Sequence, residues 1–588
     1  MSFKREEDIF MKKTEIVKLF GRLLAFSLLV PSSILNAADA VFHSFEYRGE
    51  DAYYAENPLE KNEFYTPILQ GCYPDPSICK KGDDYYLVAS SFAFNPGVPI
   101  FHSKDLVNWK QIGHVLERPE QLDVRSSGIA LGVYAPAIGY NKHNDTFYMI
   151  TTQLSGGFGN IIVKTKDPMK GWSDAIKLDF GGIDPDIFFD DDGKAYIVHN
   201  DAPVKELYSG HRAIWIRQYD VEKDRVFGEP KVIVDGGVDI SKKPIWIEAP
   251  HIYKKNGKYY LMCAEGGTGG AHSEVIFKSD NVMGPYVPAE KNPILTQRHL
   301  PQERPDKIDW AGHADLVEGP DGKYYAVFLG VRPNEKNRVN TGRETFIIPV
   351  DWTGEWPVYE GGLEPLPVKY PMPKGAKNMA GKKGFFPNGN FVFKDDFKGK
   401  DFDMTWVGMR GPVLDFAEKI RGGVKISPFD VSIKEARPTS CLFRRQQHNS
   451  FTATASMSYI PESERDLAGM VCYQSEDFCY TFGITKKYGA YYILLERTEA
   501  RKGEGGKKEK FSTIIASEKI NLKQPVFLQV KAVGDEYSFN YSFKKNGKFK
   551  TLAAVSGDIL STNVAGGFTG AFIGLYATSK NDAVPENR

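Results

Sequence analysis

The chain has 588 residues, too many for one ordinary domain, with 41% hydrophobic and 26% charged residues, as in a soluble globular protein. Lys plus Arg equals Asp plus Glu at 75 each. No basic excess or basic stripe speaks for nucleic acid, and a neutral ligand fits the balance better.

From the N-terminus, Met11-Lys-Lys opens a basic stretch, Leu23 to Val30 forms a short apolar run, and small residues follow at Ala37, Ala38 and Ala40. Residues 1–38 are therefore expected to be a leader and signal peptide, directing export to the periplasm or beyond. The apolar run is too short to span a bilayer, so no membrane span is expected. Residues 39–61 read as an N-terminal tail.

Residues 62–363 contain a repeat. Tyr73-Pro-Asp-Pro-Ser-Ile78 has counterparts in Tyr134-Ala-Pro-Ala-Ile138, Ile183-Asp-Pro-Asp-Ile187, Glu248-Ala-Pro-His-Ile252 and His313-Ala-Asp-Leu316. Each is followed by a polar turn and an aromatic-rich strand, marked by Tyr85-Tyr86, Phe147-Tyr148, Ala195-Tyr196, Tyr259-Tyr260 and Tyr324-Tyr325, which lie 48 to 65 residues apart. Five strand-and-turn units at that interval predict an all-β fold, a five-bladed β-propeller. Similar turns at Asp105-Leu, Asp167-Pro and Asn281-Val-Met-Gly predict one corner used in three blades. Residues 364–390, rich in Pro, Lys and Gly, read as a linker crossing the propeller surface. Alternation in Thr452-Ala-Thr-Ala-Ser-Met-Ser-Tyr459 and Val526-Phe-Leu-Gln-Val-Lys-Ala532 predicts a β-sandwich over residues 391–588. The basic run Arg501 to Lys510 is expected in an exposed hairpin. Six Cys are present, and Cys72–Cys79 and Cys472–Cys479 are the conceivable local pairs. Each pair brackets strand-like sequence that should hold the two apart, so free buried thiols are expected.

Aligning the repeats on their central Pro places Asp75, Ala135, Asp184, Ala249 and His313 in one register position, with Glu248 one earlier. Blades are radial, so equivalent positions on inner strands converge on one mouth of the channel. This singles out three of 75 acidic residues. Two carboxyl groups flanking a glycosidic bond are the minimum for its hydrolysis, one protonating the leaving oxygen and one activating water or attacking. A third can raise the acid's pKa. His313 suits a metal or a sugar hydroxyl, and the forked Arg343 suits adjacent hydroxyls. Against this stands the plainer reading that Asp-Pro at a strand start is only a turn.

With these motifs on the page, the chain resembles glycoside hydrolase family 43, in its β-xylosidase and α-L-arabinofuranosidase group. The matching stretches are Gly71-Cys-Tyr-Pro-Asp-Pro-Ser-Ile78, Phe101-His-Ser-Lys-Asp-Leu-Val-Asn-Trp109, Gly182-Ile-Asp-Pro-Asp-Ile-Phe-Phe189, Glu248-Ala-Pro-His-Ile252 and Gly342-Arg-Glu-Thr345. Phe443-Arg-Arg-Gln-Gln-His448 and Thr569-Gly-Ala-Phe-Ile-Gly-Leu-Tyr576 resemble the family's concanavalin-like sandwich. The resemblance implies an inverting, exo-acting hydrolase releasing β-D-xylosyl or α-L-arabinofuranosyl residues from plant hemicellulose saccharides. It makes Asp75 the general base, Glu248 the general acid, Asp184 the pKa modulator, Arg343 and His313 sugar-binding, and Phe92 and Tyr134 pocket walls. It implies no required cofactor, with calcium near His313 in parts of the family. Tyr134 stands where Trp is more usual, and Ala249 follows Glu248 where Gly is more usual. A sandwich loop is expected to close one side of the pocket. The competing readings are a catalytically silent sugar-binding propeller and a retaining fructan-type hydrolase, whose Asn-Asp-Pro-Asn-Gly is absent here. No feature of the sequence specifies an oligomeric state.

Overall fold

The computed structural model describes residues 38–379, 382–502 and 508–583; the expected leader thus lies outside the described residues, except for Ala38. Five antiparallel sheets follow one another along the chain. Their first strands are Ser77–Lys81, Val133–Asn141, Ile183–Phe189, Glu248–Lys255 and Asp309–Glu318. These five touch one another in a closed ring, which makes them the inner strands of a five-bladed propeller. Polar bonds stitch the ring. Ser77 Oγ donates to Asp315 Oδ2 at 2.8 Å and accepts from Ile138 N at 3.1 Å, and Tyr253 Oη donates to Asp315 Oδ1 at 2.6 Å.

The three similar corners share one hydrogen-bond pattern. The amides of Asp105, Asp167 and Asn281 each donate to a hydroxyl two residues earlier, on Ser103, Thr165 and Ser279, at 3.1 Å. Each Asp or Asn side chain then accepts from an amide two residues later, closing an Asx turn.

After the propeller come two large sheets of eight and six strands. Four strands of the six-stranded sheet, Cys441–Arg445, Phe572–Thr578, Leu467–Ser475 and Phe478–Lys487, are buried on both faces and alternate between two cores. Leu442, Met470, Cys472, Tyr480 and Ile573 face the eight-stranded sheet, whereas Cys441, Phe443, Val471, Tyr473 and Phe572 face the propeller residues Cys72, Phe92 and Phe94. Phe94 and Phe572 stack with centroids 4.1 Å apart. The segment Phe443 to His448 ties the parts together. Arg445 Nε donates to Cys72 O at 2.6 Å and its guanidinium lies 4.0 Å from the Tyr73 ring, so the sandwich grips the residues leading to Asp75.

Two expectations need correction. Residues 39–61 are not a tail: Ala40–Gly49 is a strand inside the eight-stranded sheet, paired with Phe451–Ser458 and Val392–Asp395. Its buried positions Phe42, Phe45 and Tyr47 belong to the same core as the later strands. The six cysteines are free and buried, yet Cys472 and Cys479 are not held apart by a strand. They sit on adjacent strands of one hairpin, opposite Tyr480 and Tyr473, and point to opposite faces. Within residues 364–390, Phe386 packs edge-on against Tyr73 and Phe101. The basic run lies on the hairpin of Ala490–Lys502 and Lys508–Ile520, whose connecting residues are outside the described set.

Candidate active site

All five register residues adopt the same backbone. Asp75, Ala135, Asp184, Ala249 and His313 have φ of 54°, 35°, 52°, 49° and 55°, a left-handed conformation that non-glycine residues rarely adopt. In blades two to five the pairing register shifts at this point, so the strand bulges and re-aims its side chains. The result is a small cavity of about 60 Å³. Asp75, Asp184, Glu248, His313, Arg343, Phe92 and Tyr134 all line it, so every residue singled out from sequence is brought to one place. Thr268 and Phe568 line it as well.

Asp75 is buried and firmly held. Its Oδ1 accepts from Arg343 Nη1 at 2.7 Å and its Oδ2 from Ser90 Oγ at 2.6 Å. Burial works to raise its pKa, but Arg343 and the Ser90 hydroxyl outweigh it and hold the carboxyl below its ordinary value. Arg343 Nη1 also donates to Thr268 Oγ1 at 3.0 Å, while its Nε meets no protein acceptor. Burial and the like charge of Asp75 push Asp184 up to about 7, against a hydrogen bond from the Ala249 amide. Burial, then Asp184 and Asp75, push Glu248 well above the carboxylate range. Three carboxyls thus sit together with opposed tendencies: Asp75 ionised, Glu248 protonated, and Asp184 between them. Burial brings His313 down to about 3, leaving it neutral; its Nδ1 is 3.6 Å from Asp75 Oδ1.

The walls are aromatic. Phe92 and Tyr134 meet edge-on at 5.7 Å, Tyr134 and Phe568 at 5.9 Å, and the Tyr134 hydroxyl turns away to Ala130 O at 2.6 Å. Phe568 comes from the sandwich loop Gly566-Gly-Phe-Thr-Gly570, which docks on the loop carrying Arg343. There the backbones come so close that a Cβ on Gly342, at φ +75°, would lie 2.7 Å from Gly570 Cα. Ser90, Thr268 and Phe568 were not singled out from sequence. The nearest signals are Ser90-Ser91 beside Phe92 and the glycine-rich surroundings of Thr268 and Phe568.

Among the described residues no group of three or more His, Cys, Asp or Glu is placed to hold a metal ion. His313 faces the single carboxylate of Asp75, so the donor set does not fit a dedicated calcium site.

The family model for glycosyl hydrolases family 43 matches residues 64–357, and that for the β-xylosidase C-terminal concanavalin A-like domain matches residues 394–585. Over 527 residues the chain is 35% identical to a xylosidase/arabinosidase of Butyrivibrio fibrisolvens, covering 87% of this chain and 95% of that one. It is 34% identical over 538 residues to a non-reducing end α-L-arabinofuranosidase of Bacteroides ovatus, covering 89% and 93%. Among solved structures it is similar to a GH43_12 protein retrieved from capybara gut metagenome, with 56% identity, a TM-score of 0.87, and coverage of 92% and 99%.

Proposed function

The chain belongs to glycosyl hydrolase family 43 and is a glycosidase, and from that premise we propose that it removes single β-D-xylosyl or α-L-arabinofuranosyl groups from the non-reducing ends of hemicellulose-derived saccharides, with inversion. The observation that carries this reading is the convergence, in one aromatic-walled pocket, of Asp75, held toward its ionised form by Arg343, and Glu248, pushed toward its protonated form by burial and its carboxylate neighbours.

In this proposal Glu248 donates its proton to the glycosidic oxygen as the bond breaks. Asp75 accepts a proton from the water that attacks the anomeric carbon from the opposite face. Asp184 keeps Glu248 protonated through its like charge and nearness. Arg343 keeps Asp75 ionised and lines the pocket where a sugar hydroxyl would sit; neutral His313 serves another. Phe92, Tyr134 and Phe568 enclose the ring, and the sandwich wall limits entry to chain ends. Hydrolysis of an aryl β-D-xylopyranoside and an aryl α-L-arabinofuranoside, compared side by side with Asp75→Asn as control, tests the reading. Cleavage of either, lost in the variant and giving the inverted sugar by NMR, supports it; a retained anomeric configuration or binding without turnover overturns it.

Export is part of the proposal. It is supported by the basic, apolar and small-residue pattern of residues 1–38. Mass spectrometry of protein from the periplasm or medium should find a chain starting near Ala38 to Val41; a full-length cytosolic product would refute export.

A further inference from the structure

Trp246 stands two residues before Glu248 and has no part in the mechanism above. It is 40% exposed, whereas Trp109, Trp172, Trp352 and Trp406 are buried. Its backbone is left-handed, φ 51°, a strained state for a bulky residue that persists only where the surroundings impose it. Here the Trp246 amide donates to Gly210 O at 3.0 Å, and the preceding carbonyl, Ile245 O, accepts from Gly266 N at 2.8 Å. The Arg212 guanidinium lies 4.8 Å from the indole centroid. Arg212 is itself fixed, its Nε and Nη2 donating to Asn200 Oδ1 at 3.1 and 2.8 Å, while Asn200 Nδ2 donates to Ile247 O at 2.5 Å. Arg212 also acts electrostatically on Glu248. One immobilised guanidinium therefore lies against the indole and within electrostatic reach of the carboxyl that would protonate the leaving oxygen.

Topology puts this platform on the open face of the site. In an antiparallel blade the connection between strands two and three, and that from strand four to the next inner strand, end at the side where inner strands begin. Residues 202–212 and 236–247 are such connections around blades three and four. Ile245, 52% exposed, continues the apolar surface beside Trp246.

A general acid must stand beside the oxygen of the departing group. Whatever flanks Glu248 on the solvent side therefore meets the leaving group rather than the cleaved sugar. We propose that Trp246, braced by Arg212, is the stacking platform for the first sugar of the leaving group, a neutral pyranose ring that lays its C–H face on the indole. This rests on the glycosidase reading above and assigns its leaving-group specificity.

The test compares two substrates carrying the same preferred sugar: the glycosyl fluoride, whose leaving group has no ring, and an oligosaccharide in which that sugar is linked to xylose. Trp246→Ala should lower the ratio of kcat/KM on oligosaccharide to that on fluoride about tenfold, mostly through KM. Trp246→Phe should recover most of it. If the oligosaccharide loses through kcat with KM unchanged, Trp246 only positions Glu248 and the proposal fails; if both substrates lose equally, or neither loses, the indole holds no leaving-group sugar and it fails too. A wild type inactive on both substrates overturns the glycosidase reading itself, a result that the ratio alone cannot mimic.

Discussion

At the residue scale, the shared left-handed backbone of Asp75, Ala135, Asp184, Ala249 and His313 shows how an ordinary repeat becomes a site. Each such position costs on the order of 1–3 kcal/mol, and the bulged strand start directs the side chain into the mouth. Two blades place Ala there and keep the pocket open; the others place Asp75, Asp184 and His313, and Glu248 enters from one position earlier. Asp75→Asn and Glu248→Gln should each lower kcat by about 10² to 10⁴ while leaving the circular dichroism spectrum unchanged; near-normal turnover in either would remove that residue from its role. The pH profile should be a bell. Its acid limb belongs to Asp75, which must be ionised, and its alkaline limb to Glu248, which must be protonated. Arg343→Gln removes the cation that holds Asp75 down, so the acid limb should move to higher pH. Asp184→Asn removes a like charge from Glu248, so the alkaline limb should move to lower pH. The same shifts govern stability. A carboxyl raised by folding favours the folded state below its unfolded pKa, and that contribution is lost as pH rises through its folded value. The melting temperature of Glu248→Gln should therefore gain on that of wild type as pH rises from about 5 to 8.

At the scale of elements, the loop from Gly566 to Gly570 contributes most to the site for its size. It reaches across the domain boundary to supply Phe568, whose carbonyl accepts from Arg343 Nη2 at 3.4 Å. Gly570 has backbone on its open side: an added Cβ would lie 2.5 Å from Thr341 O and 2.6 Å from Gly342 N. Neither neighbour is a flexible side-chain end, so Gly570→Ala must push the two loops apart. Phe568→Ala should raise KM about tenfold through lost stacking on the bound ring, with a smaller effect on kcat. Gly570→Ala should do the same and also move the acid limb upward, because Arg343 loosens from Asp75. A Gly570→Ala profile with an unmoved acid limb would show that the loop carries Phe568 alone.

At the scale of the molecule, propeller and sandwich form one mechanical unit. The strand Ala40–Gly49 precedes the propeller in the chain yet pairs deep in the sandwich sheet, and the interface buries Phe94, Phe443, Tyr473 and Phe572. Arg332, buried between Glu344 and Asp51, joins the loop beside Arg343 to the segment that follows that first strand. Residues 64–390 produced alone should aggregate on size-exclusion chromatography and lack activity, since they expose that face and have no Phe568. Calorimetry of the whole chain should show one transition, and Phe572→Ala should lower it as a whole, at a cost of about 3–5 kcal/mol. Two separate transitions would mean that the domains are independent.

Five blades, their corners and the residues at their inner strand starts were legible in the sequence, because a repeated unit writes the same local pattern each time and radial symmetry turns equal positions into neighbours. The Asx corners were legible for a similar reason: a few side-chain-to-backbone bonds close them locally. The place of Phe568 was not, since 225 residues separate it from the arginine it meets, and nothing in a glycine-rich loop says what it will dock against. Nor was the role of residues 40–49, whose alternation suits any edge or centre and whose partners lie some 400 residues on. Local periodicity determines which residues face inward; only the packing of distant surfaces decides which inward faces meet. That packing supplies the third wall of the pocket.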